Sequence, residues 1–425
     1  MESLAEGIAV DAHTISHALS ELGHAQPSFQ SHGPKSCLPP NPSPEVEFAR
    51  ARLMDASLKI FQLAAGPNQY LTHLSVKYEC LACLRWLCHF RIPDLVPPTG
   101  AITYRLLSKR ASVDQTELER VLRMMMADNV FRESADGQVA HSSISLLFTD
   151  PNFSAAVHLH SEIFLPAAMK YVDQCEKRPT GADTSQTAYN LALGTKLPFF
   201  EYMQTSPDKA RAFELAMKSV AEEDGNNIRY LVSGFDWAKL DEAMIVDVGG
   251  STGYSCIALA SAFPKLRFIV QDLAVNASNA AKELAPLPRS VRLRISFQSH
   301  DFFLPQPAFG HEVYLLRMIL HDWPVSERRR ILANLVPALR DGSRIIIMDM
   351  IKPTPGSLTG YDESAIRARD LMMKQMFNSE EQSIEQWRSL IHKTDSRLKL
   401  TEVRYQPGSS MSILVVVFGD RPSEH

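Results

Sequence analysis

The chain has little that would tie it to a membrane, a nucleic acid or an oxidising compartment. None of its apolar runs approaches the ~20 residues of a membrane span. The first residues, MESLAEGIAVDAHTISHALSEL, carry no basic region ahead of an apolar core, so no secretory signal is expected there. The net charge is −4 with no long basic run, which gives nucleic acids and anionic lipid surfaces no electrostatic hold. Cysteines number six (Cys37, Cys80, Cys83, Cys88, Cys175 and Cys256) and are scattered, as suits a reduced, cytoplasmic setting rather than a disulfide scaffold. Cys80 and Cys83 could suggest metal or redox work. They fall, however, in a helical pattern with Val76, Leu84 and Leu87, and no second pair follows, so core packing is expected. The carboxylates are spread rather than gathered into an oxygen cage, and no metal is expected.

What is present is a sizeable core, at 45% hydrophobic residues, in a chain long enough for two or three domains. Residues 1–45 read as a helix followed by a Pro/Ser linker. Residues 46–150 read as helices over 48–65, 71–90, 101–109 and 114–129, then a hairpin around Asp136-Gly137. That is a winged-helix-like arrangement. Its presumed recognition helix sets Arg120 and Arg123 against Asp114, Glu117, Glu119 and Asp128, which does not suit a phosphate backbone. A structural or dimer-forming role is expected instead. Residues 151–240 read as a helical connector, with aromatic and methionine clusters around Phe199 and Met217. From 241 onward helices alternate with strands, expected at 243–249, 266–271, 291–296, 312–318, 343–349, 398–404 and 412–418. The last two strands have no helix between them. The fold class is therefore α/β, with a mostly parallel sheet and an antiparallel final hairpin at one edge.

The centre of that region is AMIVDVGGSTGYSCIALASAFPKLRFIVQDL, residues 243–273. It reads strand, glycine turn, helix, strand, acid. Gly249 and Gly250 allow positive φ and a close approach of ligand to backbone, and Gly253 lets the helix pack near the strand. Asp272 can accept both hydroxyls of a ribose. The run is not a dinucleotide fingerprint. An acid, Asp247, stands before the glycines, where it would repel a pyrophosphate but suit a ligand carrying an amino group. S-adenosylmethionine is such a ligand. An ordinary strand-to-helix turn is the plainer alternative, and the two flanking acids weigh against it.

Ligands of such sheets sit at the carboxyl ends of the strands. The third strand is followed by Asp301, which can accept from an adenine amino group, and by Phe302, which offers an apolar face. The fourth is followed by His321. A neutral imidazole there could take a proton from a substrate hydroxyl. Asp349 ends the fifth strand and Glu381 lies in a turn before the last helix. Either could orient His321.

Six motifs together make the chain resemble the class I S-adenosylmethionine-dependent O-methyltransferases of the plant caffeic-acid type, and most of all their fungal secondary-metabolite relatives. They are VDVGGSTG (246–253), QDL (271–273), HDFF (300–303), LRMILHDWP (316–324), IIIMDMIKP (345–353) and RDLMMKQMFNSEEQSIEQW (369–387). The resemblance implies a Rossmann-like catalytic domain over 241–425 and an N-terminal domain that makes a homodimer. It implies Gly249, Gly250, Asp272, Asp301, Phe302 and Arg317 around the cofactor, and Asp247, Gly253 and Leu273 are further cofactor-binding candidates. It implies His321 as general base, flanked by Asp349 and Glu381. Phe199, Met217, Met373 and Met376 are candidates for the wall of a pocket holding a phenolic or polyketide substrate. Members of this fold that bind the cofactor yet catalyse pericyclic or dehydrative steps are the alternative. Ser251 stands where many relatives have glycine, a change that a small side chain is expected to tolerate. Asp349 stands where plant members have glutamate.

Overall fold

The computed structural model describes residues 1–177, 183–274 and 283–419. Most of the helix expected at 274–285, and most of the polar segment after Lys177, lie outside them. The chain forms two units. The first comprises residues 1–173, 188–223 and 359–361; the second comprises 174–187, 224–358 and 362 onward.

In the first unit the opening helix, Glu2–Glu21, buries Ile15 and Leu19 against Val46 and Ala49 of the long helix Pro44–Val76. The first part of that long helix ends where expected: Gly66, at φ +70 and non-helical ahead of Pro67, divides it into two helical stretches, and a further break falls at Lys77. The hairpin expected around Gly137 joins Arg132–Glu133 (β2) to Gln138–Ala140 (β3), which also pairs with Ile102–Thr103 (β1). Leu118, Leu122 and Met125 of the helix Gln115–Met126 fill the core behind this small sheet. Cys80 and Cys83 pack at the edge of that core, and the Cys80 thiol donates to the Asp128 carboxylate.

The second unit is built on seven strands: Met244–Val248 (β4), Arg267–Asp272 (β5), Ile295–Ser299 (β6), Val313–Arg317 (β7), Arg344–Asp349 (β8), Leu398–Arg404 (β9) and Ser412–Phe418 (β10). Their order is β6-β5-β4-β7-β8-β10-β9, parallel except for β10, which runs antiparallel to β8 and β9. Alternate residues of the central strands feed two cores. Ile245, Leu315, Ile346 and Val415 pack with Trp237 and Leu259 on one face. Val246, Ile345, Ile347 and Leu414 pack with Leu332 and Trp387 on the other. Burial on both faces explains the near-continuous apolar runs. The third strand falls four residues later than its sequence suggests. Residues Arg289–Arg292 turn helically after Pro288, and the Arg294 guanidinium then donates to the carbonyls of Ala260, Phe263 and Leu266, fixing the chain before it can enter the sheet.

The strand order reverses direction between β4 and β7. A crevice for ligands is expected at the carboxyl ends of those two strands. Buried glutamines brace one side of it. Gln271 of β5 exchanges amide hydrogen bonds with Gln306 (2.7 and 2.8 Å) and donates to Gln298 (2.8 Å). Its backbone oxygen accepts from the amides of Gly249 and Gly250. Gln271→Leu would leave the Gln306 amide buried without its partner. The expected loss is ~1–3 kcal/mol in urea unfolding; a loss below ~0.5 kcal/mol would show that the pair is dispensable.

Candidate active site

The turn after β4 is shaped for close approach of a ligand. Gly249 has φ +76, and a Cβ there would lie 2.6 Å from Ile319 Cδ1; a Cβ on Gly250 would lie 2.5 Å from the Asp247 carboxylate. Gly253 has φ +89 and packs on Phe297. Ser251 itself sits at φ +51. Backbone conformation, rather than side-chain size, is therefore what this position demands, and a residue with a Cβ adopts it at some cost. The Ser251 amide donates to Asp272 (2.7 Å), whose other oxygen accepts from the Leu273 amide. Asp247 is tucked beneath Gly250, where the Cys256 thiol donates to it at 3.3 Å. Burial raises its carboxyl to about 6. Asp301 caps its own loop by accepting from the Phe303 amide, and Phe302 lies edge-on to Trp323. At the end of β7, Arg317 donates to the Asn226 carbonyl (2.8 Å), while its buried Nε finds no acceptor among the described residues. Glycines whose added Cβ atoms would clash, an acid able to face a ribose and an unmatched cationic donor fit S-adenosylmethionine.

Three of the predicted catalytic residues meet in one place. Met318, at φ +55, turns the chain out of β7, and a short 3-10 turn then buries His321. Glu381 and Asp349, both about 1% exposed, face its Nδ1 at 3.2 and 3.6 Å. Only Glu381 is close enough for a hydrogen bond. The Asp349 oxygens have no donor among the described residues. Sequence reasoning left these two open; the geometry favours Glu381 as the orienting group. Asp322 faces Nε2 at 3.5 Å. It was overlooked as a partner, although its place beside His321 in the sequence was the available signal. Burial works against a charged imidazole, but Asp322, Asp349 and Glu381 together outweigh it and push His321 up to about 9. The three carboxylates thus favour the charged ring over the neutral imidazole that the sequence suggests. Burial raises Asp349 to about 6, whereas for Glu381 His321 and Arg369 overcome burial and lower it.

Arg328, Arg369 and Ser379 were not singled out by the sequence. Arg328 is fully buried in the helix Val325–Leu335, in a run Arg328-Arg329-Arg330 that reads as a solvated face. Met373 and Met376 are buried in the helix Gly360–Phe377 of the same unit. Phe199 and Met217 belong to the first unit, where Phe199 packs edge-on to Tyr189 and Phe213.

A family model for the O-methyltransferase domain matches residues 177–395. O-methyltransferase VdtC of Byssochlamys spectabilis is 43% identical over 99% of this chain and 98% of its own length. O-methyltransferase aoiF of Aspergillus oryzae is 40% identical over 97% and 99%. The chain belongs to the O-methyltransferase family. Its cofactor is S-adenosylmethionine. Solved structures share the fold at lower identity. LepI with the cofactor bound has a TM-score of 0.78 at 24% identity, covering 97% of this chain and 99% of that one. OxaC with S-adenosylhomocysteine and oxaline has 0.76 at 21%, covering 98% and 100%.

The charge on His321 couples this methyltransferase's stability to pH. A folded value of about 9 lies above the ordinary 6.5. The stabilisation is therefore complete below pH 6.5 and is lost as pH rises through 9. Between those limits the unfolding free energy should fall by roughly 3 kcal/mol more in the wild type than in His321→Gln. Parallel pH curves for the two proteins would contradict the assignment.

Proposed function

We propose that this methyltransferase acts on a phenolic or enolic hydroxyl of a small aromatic or polyketide-type metabolite, with His321 as general base. The observation that carries the reading is the His321–Glu381 hydrogen bond at 3.2 Å inside a cage of carboxylates. Residues Gly249, Gly250, Gly253, Asp272, Leu273, Asp301, Phe302 and Arg317 would hold the cofactor, and Asp247 supports the turn from below. When bound, the cofactor supplies an electrophilic methyl group on a sulfonium, which the substrate oxygen accepts.

The chain's own residues handle the proton. With Nδ1 engaged by Glu381, Nε2 is the nitrogen left to take the hydroxyl proton. The imidazolium that results is what the three carboxylates stabilise. A base of about 9 lies near the ~10 of a phenol, so the proton transfer is close to balanced. Only the deprotonated fraction works, so kcat/KM should rise with pH towards about 9. Met373 and Met376 are proposed as pocket wall.

His321→Ala should lower kcat ~10²–10⁴-fold with cofactor affinity kept. Near-normal turnover would remove His321 from the chemistry. Each turnover should release one S-adenosylhomocysteine; substrate consumed with none released would favour the pericyclic or dehydrative alternative.

We also propose that the first unit forms a homodimer in a cytoplasmic enzyme. Its support is an exposed apolar series on one helix: Phe48, Leu63, Leu71, Leu74 and Val76. Light scattering should give twice the 47.5 kDa chain mass. A monomer at micromolar concentration would contradict it.

A further inference from the structure

Arg328 is a cation with 0% exposure, and what it touches is specific. Its Nε donates to the Trp323 carbonyl at 2.6 Å. One terminal nitrogen, Nη2, donates to the His321 carbonyl (3.3 Å), the Ser379 hydroxyl (2.6 Å) and the Glu380 carbonyl. Ser379 in turn donates to the carbonyls of His321 and Trp323. The guanidinium therefore ties the segment carrying His321 to the turn carrying Glu381, some sixty residues later. The Ser379 hydroxyl, which belongs to that turn, joins the two segments directly, and Arg328 braces the junction. A second carboxylate contact holds the turn from its far side, where the Glu381 amide donates to Asp370 at 2.8 Å.

We infer that Arg328, acting through Ser379, is a positioning residue that sets the distance between His321 and Glu381 and neutralises part of the buried negative charge around them. This rests on the reading of His321 as the base. The charged groups facing Arg328 are Asp322 from the preceding loop, Asp349 from the end of β8, and Glu380 and Glu381 from the turn. Those facing His321 are Asp322, Asp349 and Glu381, with Arg369 lying 3.7 Å from Glu381. An arginine is suited to the task because its rigid planar fork holds its donors in fixed directions towards several acceptors, whereas a lysine offers three donors from a single flexible point.

The test compares Arg328→Lys, Arg328→Gln and Ser379→Ala with the wild type and with His321→Ala. The readouts are cofactor affinity by calorimetry, kcat, and the pH profile of kcat/KM. Both Arg328 variants should bind S-adenosylmethionine within about threefold of wild type while kcat falls ~10–100-fold, the scale of a small misplacement at a reacting centre. Arg328→Gln, which loses the charge, should also move the acidic limb of the profile upward. Arg328→Lys should leave the limb in place. Ser379→Ala, which keeps the charge and loses the relay, should lower kcat several-fold with the limb unmoved. Wild-type kcat in Arg328→Lys, or a parallel loss of kcat and cofactor binding in both Arg328 variants, would overturn the inference. Should neither Arg328 variant fold, Ser379→Ala decides: wild-type kcat there overturns it. If His321→Ala is inactive while these variants are normal, only the positioning role fails. If His321→Ala is active, the base reading fails and the positioning role with it.

Discussion

A buried histidine facing two buried carboxylates and a third, Asp322, that is partly exposed is the constraint on which the second unit depends. Taking such charges out of water costs several kcal/mol each unless hydrogen bonds and opposite charges replace the solvent. Here the replacement is uneven. Glu381 receives a hydrogen bond from His321, lies near Arg369, and has its backbone held by Asp370. Asp349 receives no hydrogen bond among the described residues, and burial raises its carboxyl. The two acids are therefore not interchangeable: one is an ionised orienting group, the other sits close to protonation.

The sheet makes this arrangement buildable. Parallel strands bring β4, β5, β7 and β8 to a common carboxyl end, so residues up to a hundred positions apart in sequence share one region. Local strain is placed there too. Ser251 and Met318 both occupy positive φ, at the exits of the two strands that flank the reversal of strand order. Residues with a Cβ adopt this conformation only where surrounding contacts enforce it. The Ser251 amide is held by Asp272, and the Met318 amide by the Met348 carbonyl. The glutamine pair between Gln271 and Gln306 ties the loop carrying Asp301 and Phe302 to the strand that presents Asp272.

Much of this was legible in the sequence. Period and punctuation located six of the seven strands of the main sheet and set the other too early, and the run of glycines located the turn. The misplaced third strand shows the limit. An alternating run such as Val291 to Ile295, apolar at every second residue, fits a strand on pattern alone, and only the Arg294 contacts to distant carbonyls decide otherwise. His321, Asp349 and Glu381 were found because each stands at a strand end or a turn, where chemistry concentrates. Arg328 was hidden for the opposite reason. It lies mid-helix in a triplet of arginines, and helical phase alone does not reveal that the first of the three is wholly buried while the next two are exposed. The pull of the acids on His321 was not legible either, because the sequence names neighbouring acids without telling how many converge within 4 Å.

The most direct measurement is an NMR titration of the His321 ring in the free, isotopically labelled protein, assigned by comparison with His321→Gln. The account predicts that the imidazole stays protonated through neutrality and titrates near pH 9. A midpoint at or below the ordinary 6.5 would mean that the carboxylates do not govern this histidine, and the proposed role of the cage would fall.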